Sequence, residues 1–271
     1  MQANNSGNTL QEFRVMPWCE PGTSMAQGDD SPNRRPQLRS SGEVATAYRT
    51  LQQRVDALLS KRIDLSDRAV PACPGWTVHH AVCHLVGTAD DLLAGNLHDA
   101  GSETWTGAQI DRLSCHSVDE LLGKWAESAG LVAERLSISP KLYGAQVVFD
   151  TWTHEHDIRG AIAEPGGRDT DLVSTVALGY LLTMTDRSIR RKQLPSVRLT
   201  VRKMGTVLLG DHEKNSGCLS VALTEFEVLR AFGGRRSAQQ LLGLSWEGDA
   251  RALLPLFCTA VVRPPSTSLL E

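Results

Sequence analysis

Four stretches with apolar residues at helical spacing, the last closed by the breaker Glu164-Pro165-Gly166-Gly167, constrain this chain more than any other feature. In the first, Val44, Tyr48, Leu51, Val55 and Leu58 step by four, three, four and three residues between Glu43 and Arg62. That is one stripe of a long amphipathic helix. A second helix is expected after Pro74-Gly75-Trp76, with Thr77 as N-cap and Val78, Val82, Leu85, Ala89 and Leu92 facing a core. The third opens on the capping box Ser117-x-x-Glu120 and continues through Leu121, Trp125, Ala129, Val132 and Leu136. The fourth is expected over residues 142–163. Four helices, each with one apolar face to bury, predict an antiparallel four-helix bundle. The stretch 96–116, which holds Trp105, reads as a long connection.

The flanks differ in texture. Residues 1–41 are rich in Asn, Gly, Ser, Gln and Pro without apolar periodicity and read as a disordered arm, in which Met16 and Met25 offer alternative starts. After the breaker a helix is expected over 171–190. Strand-like alternation follows at Val197, Leu199 and Val201, at Thr206 to Leu209, and at Leu219, Val221 and Leu223. Thr224-x-x-Glu227 caps a further helix that Gly233-Gly234 ends, and Ser237 and Asp249 start two more. The expected organisation is an α+β chain: an arm (1–41), a helical bundle (42–166) and a small α+β domain (167–271).

Composition narrows the partners. A net charge of −3 supplies no global attraction for nucleic acid. No apolar run reaches the length of a membrane span, and the first residues lack the pattern of a secretory signal. Six cysteines without a CxxC pair fit reduced thiols, so a cytoplasmic location is expected.

The chemistry concentrates on the fourth helix. Asp150 and His154 stand at i and i+4 and share a face, whereas His156 is turned roughly 200° from His154 and reads as a surface or interdomain residue. His84, beside the Val82/Leu85 stripe, lies on the edge of the second helix that can turn inward. Polar groups aimed into a bundle core need a partner or a metal. Two histidines and a carboxylate would give a divalent ion three protein ligands and leave one position open, as catalytic zinc requires. The rival reading is ordinary surface residues, because a carboxylate-x-x-x-His pair arises by chance in many helices. His80, one turn before His84, is the competing ligand. Cys83 points about 100° away from His84 and reads as packing. Cys73 reads as a structural thiol with a redox alternative, Asp157 as a residue behind the ligands, and Trp76 as a seal on the bundle end.

Val70-Pro71-Ala72-Cys73-Pro74-Gly75-Trp76-Thr77 followed by His84-Leu85-Val86-Gly87 resembles the N-terminal signature of the mycothiol-dependent maleylpyruvate isomerase family. A second motif of that family, a carboxylate, three residues, His, two residues, Asp, is met by Asp150, His154 and Asp157. Phe226 to Ser237, with Gly234-Arg235-Arg236, resembles the arginine-bearing segment of its C-terminal domain, so the likeness runs over residues 43–258.

The resemblance implies a DinB-like metal-binding bundle in which His84, Asp150 and His154 hold a divalent metal, zinc by preference. It implies mycothiol, a sugar-linked cysteine derivative, as thiol cosubstrate. The family usually carries Glu where this chain has Asp150, one methylene shorter, so the helices must sit closer or water must bridge. The function so implied is transfer or exchange of the mycothiol thiol on a small electrophilic metabolite, with lincosamide antibiotic assembly as one setting. Cis-trans isomerisation of maleylpyruvate is the alternative, and a non-catalytic metal- or ligand-binding module of the same fold is a third. Arg235 would hold a substrate carboxylate or an enolate, against the alternative of a solvated arginine at a helix end. Arg230 and Arg236 share that ambiguity. The basic residues between Arg187 and Lys203 read as a solvated face.

Overall fold

A computed structural model describes residues 34–211, 217–257 and 264–269 of the protein. The helical part comprises α1 (Ser41–Leu59), α2 (Val78–Ala94), α3 (Glu103–Leu113), α4 (Val118–Ile138), α5 (Lys141–Ile162) and α6 (Leu172–Lys192). The four apolar stripes find one another: α1 and α2 each pack against both α4 and α5. The start of α4 is the capping box expected from Ser117, whose backbone N–H donates to Glu120 Oε2 at 2.7 Å while its hydroxyl accepts from the Glu120 N–H. Between α1 and α4 the buried Trp125 donates its indole N–H to the Tyr48 hydroxyl at 2.7 Å, so the one polar edge of that ring is satisfied inside the core.

Three strands follow, β1 (Ser196–Val201), β2 (Gly205–Leu209) and β3 (Cys218–Leu223), in the order β2-β1-β3. β1 runs antiparallel to β2 and parallel to β3, with Val197 opposite both Leu209 and Leu219. Val197, Leu199 and Val201 are fully buried and the residues between them are less so, which is the alternation read from the sequence. Helix α7 (Glu225–Phe232) starts at the Thr224 cap and ends at Gly233; α8 (Ala238–Leu242) and α9 (Leu254–Phe257) are short. The chain is mostly helical with a small sheet near its C-terminal end, an α+β fold. No helix among the described residues is long and apolar enough to cross a membrane.

Two expectations need correction. The stretch 96–116 is not a plain connection: it contains α3, which packs on α2. Residues 34–40, counted with the arm, lie against the body of the protein. The Leu208 N–H donates to the Arg34 carbonyl at 3.0 Å and Arg35 Nη1 donates to the Gly210 carbonyl at 2.7 Å. The α6 backbone approaches this segment closely, since a Cβ at Gly179 would stand 2.7 Å from the Gln37 carbonyl oxygen. The rest of the expected arm, 1–33, with Met16 and Met25, lies outside the described residues. The division at 166/167 is kept as a proposal. Helix α6 follows it in the chain, yet packs against α5 and α1 as well as against α7 and β2.

Candidate metal centre

Helix α5 carries Asp150, His154 and Asp157, and it is buried all round from Thr151 to Ile158. Asp150, His154 and Asp157 line one side of it. The opposite side, with Glu155 and His156, is covered by other elements. Glu155 is held by Arg159 at 2.9 Å and Arg54 at 3.4 Å. His156 lies between Trp152 and Phe226 of α7, with ring centroids at 4.2 and 5.1 Å. It is buried between α5 and α7 and is not a surface residue. Burial, with Arg230, Arg159 and Arg54 nearby, pushes its pKa down to about 2, so the ring is neutral at physiological pH.

His84, Asp150 and His154 come together. His84 Nε2 lies 3.2 Å from Asp150 Oδ2, and His154 Nε2 lies 3.7 Å from Asp150 Oδ1. A tetrahedral ion with ligand bonds of about 2.0–2.1 Å needs donor atoms about 3.3 Å apart. The separations are therefore those of a ligand set, and Asp150 reaches both imidazoles despite its short side chain. Burial works against a charge on His84, yet Asp150 and the hydrogen bonds to it outweigh that and raise its pKa above the ordinary histidine value. The mirror effect holds for Asp150: burial would raise its pKa, but His84, His154 and Arg235 lower it. Asp150 nonetheless shows 38% of its side chain to the adjoining cavity.

The far nitrogens of both rings are engaged. Asp157 Oδ2 accepts from His154 Nδ1 at 3.1 Å, and Gln109 Oε1 accepts from His84 Nδ1 at 2.8 Å. Both acceptors lack a proton to give, so each ring carries a hydrogen on Nδ1, which leaves Nε2 as the nitrogen that faces Asp150. That is the tautomer a metal ligand requires. The donor set thus fits a divalent metal in number, spacing and tautomer.

Asp157, fully buried, also accepts from Arg230 Nη2 at 2.7 Å and Arg235 Nη2 at 2.9 Å. Burial alone would raise its pKa; the two guanidinium groups and His154 hold it well below the usual carboxylate range. Cys73, His154 and Asp157 form a second close cluster. With two arginines already on Asp157, that cluster is better suited to orienting His154 than to holding a cation of its own. Burial and the Asp157 carboxylate push the Cys73 thiol well above its ordinary range, which leaves it protonated and unreactive near neutral pH.

The turn before α2 sets the near wall. The Trp76 N–H donates to the Cys73 carbonyl at 2.9 Å, and Gly75 between them takes a φ of 86°, the left-handed conformation that favours glycine. Trp76 is thereby laid over both imidazoles, at centroid distances of 5.5 Å to His84 and 5.6 Å to His154. It covers the two imidazoles rather than merely closing the bundle end. His80 is no rival ligand: its ring closes the α2 capping box with Thr77. Cys83 faces away, toward His79. A cavity of about 770 Å3 opens from the three donors and is walled by aromatic rings that include Trp76, Trp105 and Phe149. Arg235 is the one cationic side chain lining it among the described residues. Arg230 lies behind, fully buried, and Arg236 pairs with Glu227 at 2.8 Å. Sequence reasoning missed Gln109 and its partner Asp91, for which no apolar stripe gave a signal.

Residues 48–159 match a family model described as the mycothiol maleylpyruvate isomerase N-terminal domain. That span contains His84, Asp150, His154 and Asp157. Among solved structures the chain is similar to a crystal structure of a histidine-to-alanine mutant of the mycothiol-dependent maleylpyruvate isomerase. The TM-score is 0.52 at 13% identity, covering 78% of this chain and 94% of that one. A second crystal structure of the mycothiol-dependent maleylpyruvate isomerase aligns with a TM-score of 0.48 at 14% identity over the same shares. No curated protein matches the chain.

Proposed function

We propose that this protein is a mycothiol-dependent metalloenzyme acting on a small electrophile, a reading supported by the match of residues 48–159 to the mycothiol maleylpyruvate isomerase N-terminal domain. The observation that carries this reading is the convergence of two Nε2 atoms and the Asp150 carboxylate at the foot of an aromatic cavity. A divalent metal, zinc by preference, held by His84, Asp150 and His154 would make a thiol acidic enough to react as thiolate near neutral pH. The chain's own residues supply the rest. Trp76 excludes water above the histidines, Asp157 and Gln109 keep their lone pairs aimed, and the cavity leaves room for the thiol's carrier and an acceptor. The inert state of Cys73 agrees with a thiol brought in from outside. In transfer, a sulfur–carbon bond forms as the acceptor's leaving group departs with its electron pair. In isomerisation, sulfur adds to one alkene carbon, the former double bond rotates, and the sulfur–carbon bond breaks again.

Transfer is favoured by the charge of the cavity wall. Arg235 spends both Nε and Nη2 on Asp157, which leaves Nη1 to meet an acceptor oxygen and stabilise charge developing there. Maleylpyruvate is a dianion and asks for more cationic partners than this wall presents among the described residues. The family match keeps isomerisation as the second reading. Incubation of the metal-loaded protein with mycothiol and a set of electrophiles separates them. Transfer yields an S-conjugate by mass spectrometry with matching loss of free thiol, whereas isomerisation of maleylpyruvate leaves the thiol concentration unchanged. A non-catalytic binding module gives neither. The setting we favour is specialised metabolism, of which lincosamide assembly is an example. Neighbouring genes of a natural-product cluster would support it, and an aromatic ring-cleavage operon would support the isomerase.

A further inference from the structure

We propose that α3 is the positioning element of the metal centre, acting on His84 through a hydrogen-bonded chain of Arg112, Asp91 and Gln109. The inference rests on the metal-site reading above. Gln109 is completely buried, with its Nε2 donating to Asp91 Oδ2 at 2.7 Å and its Oε1 facing His84 Nδ1 at 2.8 Å. A carboxylate only accepts, so Asp91 decides which end of the amide points at it, and the amide oxygen is left for the imidazole. An amide oxygen also only accepts, so His84 must carry its proton on Nδ1. Asp91 is itself held by Arg112 Nη2 at 3.1 Å and Asn96 Nδ2 at 3.0 Å, both on Oδ1. Each link has a fixed direction, and together they hold a proton on His84 Nδ1 and reserve Nε2, the nitrogen facing Asp150, for a metal.

A second observation points to the same contact. Gly87 sits one turn beyond His84 on α2, where a glycine costs about 1 kcal/mol of helix propensity relative to alanine. A Cβ there would stand 2.6 Å from Gln109 Cβ and 2.7 Å from Gln109 Cγ. The glycine lets α3 approach closely enough for the amide to reach the imidazole. Because α3 also contributes Trp105, Thr106 and Ile110 to the cavity wall, one helix both walls the cavity and orients a ligand.

The test is metal affinity by competition with a chromophoric chelator, on variants shown by circular dichroism to be folded. Gln109→Leu is expected to weaken zinc binding about 10- to 100-fold, the usual effect of losing a hydrogen-bond partner of a ligating histidine. Asp91→Asn is expected to do the same, since the amide of Gln109 is then free to turn its NH2 toward His84. The double variant Asp91→Asn/Gln109→Glu restores every direction: the new amide on α2 donates to the new carboxylate on α3, and that carboxylate accepts from His84. It is expected to return to within about threefold of the unmodified protein, so the recovery spans most of the 10- to 100-fold loss. A role in packing alone would not show this rescue. If the unmodified protein binds zinc and Gln109→Leu binds it equally, or the double variant stays as weak as Asp91→Asn, the positioning role is overturned. Failure of the unmodified protein to bind zinc would overturn the metal reading itself, and this inference with it.

Discussion

Purified His154→Ala protein is expected to retain almost no divalent metal, against about one ion per chain in the unmodified protein, because only two of the three ligands survive. Elemental analysis after gel filtration measures this, and equal metal content in the two proteins would sink the assignment of His84, Asp150 and His154. The fold should survive the change, because Asp157, which loses its contact to the imidazole, keeps both arginines. The unmodified protein should also show a pH dependence of known sign. Ligation needs neutral imidazoles, and the His84 pKa lies above the ordinary histidine value. The apparent metal affinity should therefore begin to fall as the pH drops below that raised pKa, at a higher pH than proton competition at an ordinary histidine would start.

The largest effect on stability is expected from Asp157→Asn. The native carboxylate stands between Arg230, fully buried, and Arg235, at 2.7 and 2.9 Å. Without its charge the two guanidinium groups lose the carboxylate they share. Removing one partner of a buried ion pair costs about 3–5 kcal/mol. Urea unfolding at neutral pH measures it, and a loss below about 1 kcal/mol would show that the network contributes little. The acid limb carries the same signature. The folded-state pKa of Asp157 is depressed, so its contribution is whole above the unfolded value of about 3.9 and is lost as the pH falls toward the lower folded value. The Asn variant should lack that part of the acid-side slope.

The bundle was legible because α1 and α4 each bury one stripe, and Tyr48, Trp125 and Leu136 sit where the spacing puts them. Asp150 and His154 were legible for a similar reason, since i and i+4 share a face on any helix. Two features were not. Helix α3 buries only Gln109 and Leu113, so it has no apolar stripe to betray it; its inward residue is an amide whose value depends on Asp91 and His84. The surface alternative for His156 failed because an amphipathic helix should expose the side opposite its site. Helix α5 exposes no such side, because Phe226 of α7 covers it. Arg235 fell between its two readings: it lines the cavity, yet its charge is largely committed to Asp157. A residue number cannot reveal such pairing, which joins positions far apart in the chain.

Trp76, laid over both candidate ligands, gives the site an optical property of its own. Indole emission is quenched by a paramagnetic ion in near contact, and Trp76 stands within 6 Å, ring to ring, of His84 and His154. Trp152 and Trp246 pack instead against His156 and Phe232. Titration with cobalt should therefore dim the part of the fluorescence that Trp76 and Trp105, both walls of the cavity, contribute, and zinc, which such a site holds more tightly, should displace the quencher. The protein would report the filling of its own centre without a label, in dilute solution and in real time.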